Sequence, residues 1–369
     1  MHIYVRQSLS IPQKTHDKHW REFLFAYSMH ASFNDSLLIG SNFDHYEKKH
    51  YSKISNNFPF KLKLISTLGY SSNTSLSRIF DAWFFSIKLF FYILLKTPPR
   101  STVICSFPTP ESSLFACLAS VLKRDKFILD FRDAWPEALV SDNKLLSFIF
   151  KIYIRGILFL IKPFVKSTIY MSGKMHNYYD LDSRSLILPN WFPSVKQNDV
   201  PRQLSIVFAG TLSSQFDFTL LTKLSSLSCF NGFTFDIYGG GPFFDFYEKM
   251  FRDYDKIVFH GKVDYGSLMS SYHRCAMFLI PYSNPVVFEN HLNNKMIEMI
   301  AFNKPIITNL RSCCFWLEGA PLNIGFNFNE IENFKKTDMM EMLETFDNKA
   351  SGLFSKDNFD IKLKEFLSR

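Results

Sequence analysis

A lysine and a glutamate stand three residues apart, Lys295 and Glu298, in the segment NHLNNKMIEMIAFNKPIIT that runs from Asn290 to Thr308. Leu292, Met296, Met299 and Ile300 recur at helical spacing, and a short strand-like run, Pro305 to Thr308, follows. On such a helix the lysine and glutamate share one face. An ammonium in the first turn would add a full charge to the unpaired N–H groups and partial positive charge of a helix N-terminus, which suits a diphosphate. A carboxylate one turn on can accept hydrogen bonds from two vicinal hydroxyls, such as those of a ribose. Taken alone, the pair also reads as an ordinary surface ion pair worth about 0.2–0.5 kcal/mol.

Groups of this kind need strands that end in turns. SIVFA runs into the turn Ala209–Leu212, FDIY into three glycines and Pro242, and IVF into His260–Val263. Glycines after strands permit tight turns whatever else they do. In open α/β sheets, however, ligands bind beyond the carboxyl ends of the strands, where such turns gather. The first half reads the same way. Strands are expected at the opening MHIYVRQSL, at Asp35–Asn42, Ser101–Phe107, Phe127–Phe131 and Ser167–Ser172. Helices are expected near residues 18–31, after Pro110, and over Lys144–Lys166. Leu188–Gln203, rich in Pro and Asn, reads as a linker. Alternating strands and helices on both sides of it imply two doubly wound α/β domains.

Composition narrows the class. A chain of 369 residues with 47% hydrophobic content and 42 Phe suits two full cores. No apolar run of spanning length is free of charge, since Lys88 interrupts Trp83–Leu95 and Lys151, Arg155 and Lys162 interrupt Leu145–Val165. The N-terminal residues lack the order of a signal peptide. Six cysteines without C-x-x-C spacing favour reduced thiols and a cytoplasmic setting. The net charge of +8 lies in the first half, with 25 Lys and Arg against 14 Asp and Glu over residues 1–196, and 17 against 20 over 197–369. A basic, aromatic half could face an anionic membrane or nucleic acid, or serve only solubility. DLD at Asp180–Asp182 and DYD at Asp253–Asp255 have a D-x-D spacing that can hold a metal ion, but such three-residue matches arise by chance in polar loops.

VFAGTLSSQFDF, FDIYGGGP, VFHGKVDYGSLMSSYHRCAMFLIPY and NNKMIEMIAFNKPIIT together resemble, in order and spacing, the nucleotide-sugar domain of glycosyltransferase family 4. SNFDHYEKKHY, GYSSNTSLSRIF and FILDFRDAWPEAL look like the bacterial branch that builds O-antigen, capsule or related polysaccharides. The resemblance covers nearly the whole chain. It implies the GT-B fold, two facing Rossmann-like domains with a cleft between them. These would be an acceptor-binding domain over 1–195 and a nucleotide-sugar domain over 196–350, with 351–369 a helix packing back toward the first.

Carried over residue by residue, the resemblance gives Glu298 to the donor ribose. It gives the backbone of Leu292, Asn293 and Asn294, with Lys295, to the diphosphate. Gly210 and Thr211 form the first turn against phosphates and sugar, with Gly240 in the glycine loop, and Val263 lies at the nucleobase. Asp130, Arg132 and Asp133 end a first-domain strand at the sugar and acceptor site, where Asp133 is a candidate proton acceptor or a structural partner of Arg132. The chain departs from the family in three places. The first glutamate of the usual pair is Asn290 here, no Arg or Lys follows the AGTL turn, and IPQKTHDKHWRE replaces a glycine pair. His16 and Arg21 are the acceptor candidates in that stretch.

The activity implied is transfer of a hexose or N-acetylhexosamine from a nucleotide sugar, UDP-linked by expectation, with retention and without metal or other cofactor. The acceptor would be a lipid-linked saccharide. No nucleic-acid partner is expected, and the basic first half would contact the inner face of the cytoplasmic membrane. Two other activities fit the same residues: a GT-B epimerase or hydrolase of nucleotide sugars, and a non-catalytic nucleotide-sugar-binding homologue.

Overall fold

Runs of β-branched and aromatic residues, apolar on both faces, supply the central strands, as parallel sheets covered by helices on each side require. The computed structural model describes residues 1–12, 20–45, 47–52, 57–71, 76–132, 144–172, 175–176, 179, 181, 183–192, 201–288, 294–311, 313–317, 320–348 and 353–369. They divide into two units: Met1–Asn190 with Phe359–Arg369, and Trp191–Asn358. The division falls within the stretch expected as a linker.

The first unit has seven parallel strands: β1 (His2–Arg6), β2 (Ser36–Ser41), β3 (Lys61–Ile65), β4 (Thr102–Phe107), β5 (Lys126–Phe131), β6 (Ser167–Tyr170) and β7 (Arg184–Ile187). Their order is β3-β2-β1-β4-β5-β6-β7, so the winding reverses between β1 and β4. Helices α1 (Arg21–Phe33), α2 (Leu76–Lys96), α3 (Pro110–Lys123) and α4 (Lys144–Ile161) connect them. Proline opens α3 at the position where a missing N–H costs nothing, and Arg124 closes it in the left-handed conformation. Alternate strand residues such as Ile3, Val5, Val103 and Leu129 share one core with Phe85, Leu89, Ile93, Ala116 and Ile154, which places α2, α3 and α4 on one face. The other face meets α1, where Tyr4 and Phe25 pack ring to ring.

The second unit repeats the plan with β8 (Ser205–Ala209), β9 (Thr234–Tyr238), β10 (Ile257–Gly261), β11 (Met277–Ile280), β12 (Ile306–Thr308) and β13 (Gly325–Asn327). The order β10-β9-β8-β11-β12-β13 reverses between β8 and β11. Its helices are α5 (Leu220–Leu224), α6 (Phe244–Met250), α7 (Tyr265–Arg274), α8 (Pro285–Phe288), α9 (Asn294–Ala301), α10 (Phe328–Ile331) and α11 (Lys336–Thr345). Lys304, just past α9, donates to the carbonyls of Tyr272, His273 and Cys275, so its ammonium caps the end of α7. Burial then lowers the Lys304 pKa.

The last helix, α12 (Lys356–Ser368), puts Phe359 edge-on to Phe25 at 5.3 Å and Asp360 in a hydrogen bond with Ser28. Arg184 in turn lies over Phe366, 4.4 Å from the ring centroid.

A charged pair sits inside the first unit. Arg21 and Asp130, both 0% exposed, meet at 2.6 Å. Tyr4 donates to the same carboxylate, and Arg21 reaches the Leu188 carbonyl at 2.9 Å and Asn190 Oδ1 at 2.7 Å. One guanidinium thereby joins the start of α1, the end of β5 and the exit from β7. Burial, reinforced by the Asp130 carboxylate, holds the Tyr4 phenol protonated well above its ordinary pKa. Removing one member of such a pair strands the other charge, which costs about 3–5 kcal/mol. Arg21→Met should therefore lower the first unit's stability by that amount in urea titration. The Arg21→Met/Asp130→Leu double variant should lose less; an equal or larger loss would contradict the pairing.

Candidate functional site

The switch point of the second unit lies between β8 and β11, and the turns around it are stitched together. Gly210 N–H donates to the Tyr238 carbonyl at 2.9 Å, Leu212 N–H to Gly240 at 2.9 Å, and Gly239 N–H to Gly261 at 2.7 Å. The glycines follow from this closeness. A Cβ on Gly239, where φ is +126°, would lie 1.9 Å from the Gly210 carbonyl oxygen, and one on Gly241 would lie 2.5 Å from that of Leu212. Gly240 is less constrained, since a Cβ there would meet only the end of Lys262, at 3.2 Å.

Into this corner α9 brings Lys295. Its ammonium lies 4.8 Å from the ring centroid of Phe208 and 4.5 Å from that of Phe216, within cation–π range of both. A Cβ on Gly210 would fall 1.6 Å from Lys295 Nζ. The structure thus brings Lys295 and Gly210 into contact at the switch point, with Thr211 exposed beside them and Asn294 opening α9. One turn along, Glu298 is buried. Burial, with the Glu298 carboxylate next in importance, pushes up the pKa of the phenols of Tyr265 and Tyr272. Tyr265 opens α7 two residues after Val263, whose side chain is exposed. The glycine turn, the Val263 loop and Glu298 are therefore held around one sheet edge.

Two contributors escaped the sequence reading. Lys262 lays the methylenes of its side chain against Gly240, which brings a second lysine to the glycine turn, and Tyr265 lies close enough to Glu298 to respond to its charge. The stretch HGKVDY contained both.

Asn290, Leu292 and Asn293, with His16 and Asp133, lie outside the described residues, as do Asp180 and Asp182. Asp253 and Asp255 precede β10, at the amino end of the sheet and away from the glycine turns.

In the first unit the structure places three of the expected residues in ion pairs. Arg21 and Asp130, expected at the acceptor and catalytic sites, are instead the solvent-free pair described above, because two charges inside a core persist only when matched. Arg132 is largely covered, with Glu22 of the first turn of α1 at 2.7 Å. The carboxyl edge carries a different set of groups. Arg6, at the end of β1, donates to Ser106 of β4 at 3.2 Å, across the switch point. Around Tyr70 gather the Lys48 ammonium, 4.6 Å from the ring centroid, the Arg78 guanidinium at 5.9 Å, and His45, bonded to the phenol. Burial, then the charges of Lys48, Arg78 and Arg6, push the His45 pKa down to about 4. These cations come from the end of β1, the turn residues after β2 and the first turn of α2, so no local spacing signals them.

The fold is that of GT-B glycosyltransferases. The protein is similar to Anabaena Alr3699/HepE in complex with UDP-glucose, at 13% identity over 99% of this chain and 98% of that one, with a TM-score of 0.63. It is also similar to sucrose-phosphate synthase from Thermosynechococcus elongatus, at 10% identity over 93% and 90% of the two chains and a TM-score of 0.60. The lipopolysaccharide outer core galactosyltransferase WaaB in its apo form matches at 14% identity over 99% and 95%, with a TM-score of 0.52. No protein-family model matches the sequence, and no curated protein matches it.

Two outcomes are expected. Gly210→Ala should lower the thermal midpoint less than Gly239→Ala, because at 210 the added Cβ meets a lysine side chain that can swing aside, whereas at 239 it meets backbone. Equal midpoints would contradict the packing. His45 is neutral when folded down to about pH 4, whereas an unfolded His takes up its proton near 6.5. The unfolded state binds more protons between those values, so stability falls as pH drops through that window. His45→Gln should reduce the loss between pH 7 and pH 5 in urea titrations; an unchanged loss would contradict the assignment.

Proposed function

We propose that this chain is a retaining glycosyltransferase that moves a hexose or N-acetylhexosamine from a UDP-sugar to a lipid-linked saccharide of a bacterial surface polysaccharide, at the inner face of the cytoplasmic membrane. The observation that carries the reading is the Lys295 ammonium seated on Gly210 at the β8/β11 switch point, with Glu298 one turn along the same helix. The UDP-glucose in the complex of the similar HepE supports a UDP-linked donor, and the name of WaaB, a lipopolysaccharide galactosyltransferase, supports a surface saccharide as acceptor.

The chemical demand is charge on the leaving group. As the sugar becomes oxocarbenium-like, the nucleoside diphosphate gains negative charge, and donors fixed in advance stabilise it as it develops. Lys295 is held by two aromatic faces and a glycine, so it does not reorganise during the step. Lys262 adds charge at the same edge, and two ammonium groups are the reason the reaction is proposed to run without a metal. Glu298 would accept from the ribose hydroxyls, with the nucleobase near Val263. In the first unit, Arg6, Lys48 and Arg78 are suited to the phosphate of a lipid-linked acceptor.

A panel of UDP-, GDP- and dTDP-sugars with a lipid-linked acceptor tests the reading. Sugar transfer with retention supports it; product without acceptor would point to an epimerase or hydrolase, and binding without turnover to a non-catalytic homologue. Glu298→Ala should weaken UDP-sugar binding at least tenfold, about 1.4 kcal/mol, as loss of one or two charge-assisted hydrogen bonds requires. Unchanged calorimetric affinity would remove Glu298 from the donor site.

A further inference from the structure

The outer surface of α2, α3 and α4 is apolar where a surface helix is ordinarily polar. On α2, Phe80, Phe84, Ile87, Phe91 and Leu95 recur every three or four residues and all are exposed, Phe80 by 66%. On α4, Leu145, Ile149, Ile152 and Phe159 form a second stripe, with Phe159 77% exposed. Leu118 and Leu122 of α3, the helix that packs against both, lie exposed between the stripes. The inner sides of the same helices fill the core, through Phe85, Leu89, Ile93, Ile154 and Ile157. These helices are therefore apolar on both sides, yet among the described residues none is long and apolar enough to cross a membrane.

The charges on this surface have one sign. α2 carries a single carboxylate, Asp81, buried and accepting from Gln7 and the Gly69 N–H. α3 carries only Glu111, also buried, which accepts from Tyr153. α4 has no acidic residue. Lys88, Lys151 and Arg155 lie among the apolar side chains, and Lys162 follows α4.

We propose that the α2–α3–α4 face docks on an anionic phospholipid bilayer, its aromatic and aliphatic side chains entering the acyl boundary and its cations lying at the headgroups. Apolar stripes between cations, with the carboxylates of these three helices withdrawn, are the pattern of interfacial helices. A second copy of the chain would bring the same cations against these and gains no charge complementarity, which favours lipid over self-association. The inference deepens the proposed function and rests on it for its purpose, since a lipid-linked acceptor sits in such a bilayer. Its physical basis is separate from the donor site.

Co-sedimentation with vesicles of phosphatidylglycerol and phosphatidylcholine tests the face. The full chain should bind these vesicles, weaken at least tenfold as salt is raised from about 0.05 to about 0.5 M, and bind pure phosphatidylcholine poorly. Phe91→Asp/Ile152→Asp replaces two exposed side chains and should cut binding at least tenfold while leaving UDP affinity and transfer to a water-soluble acceptor unchanged. Absence of binding to anionic vesicles at every salt concentration would overturn the proposal. So would a dimer in sedimentation velocity that the double variant dissociates. Vesicle binding by a chain with no transferase activity supports this face and sinks the catalytic reading alone.

Discussion

The second unit depends on how closely three turns approach one another beyond the ends of β8, β9 and β10. The Gly210 carbonyl lies where a side chain at 239 would stand, and the Lys295 ammonium where one at 210 would stand. Only glycine allows both, and the result is a cation held on the switch point by contacts that need no ligand. The aromatic faces of Phe208 and Phe216 complete that hold. Because both rings belong to the core of the unit, the position of the charge is tied to the packing of the sheet. A change in the core behind β8 therefore reaches the ammonium through those rings.

The first unit sorts its charges by a different rule. Inside, Arg21 and Asp130 neutralise one another, with Tyr4 and Asn190 satisfying what remains, so the pair organises the fold and offers nothing to a substrate. At the carboxyl edge Arg6, Lys48 and Arg78 gather about His45, and burial together with their charges holds that histidine neutral, an arrangement suited to an anionic ligand. On the α2–α3–α4 face the carboxylates are withdrawn and the cations remain. Three environments, a neutral interior, a basic edge and a basic apolar face, thus account for much of the excess positive charge in the first half of the sequence.

Much of this was legible beforehand. Buried strands such as ICSF and FILDF announce themselves by composition, and the glycine turns by their place after strands. The edge strands β3 and β7 were not legible, because KLKLI alternates with lysine and RSLI is largely exposed, so neither looks like core. For the candidate site, Gly210 and Lys295 were each named from the motif order, whereas their mutual contact and the pairing of Arg21 with Asp130 were not legible. A strand-end aspartate facing a catalytic site and one facing a buried arginine have the same local sequence, and only the arrival of the first residue of α1 beside the end of β5 distinguishes them. Lys262 was overlooked because only the bend of the chain brings it to Gly240, and the edge cations because they lie on a strand end, a turn and a helix start far apart in sequence.

The central claim is that a nucleoside diphosphate sits on the turn at Gly210, with its charge met by Lys295. A crystal structure of the chain with UDP tests it most directly. The account predicts diphosphate oxygens within hydrogen-bond reach of Lys295 Nζ and the Gly210–Thr211 backbone, with the ribose hydroxyls on Glu298. UDP bound elsewhere on the chain, with Lys295 still packed on Gly210 and touching no phosphate, would contradict it.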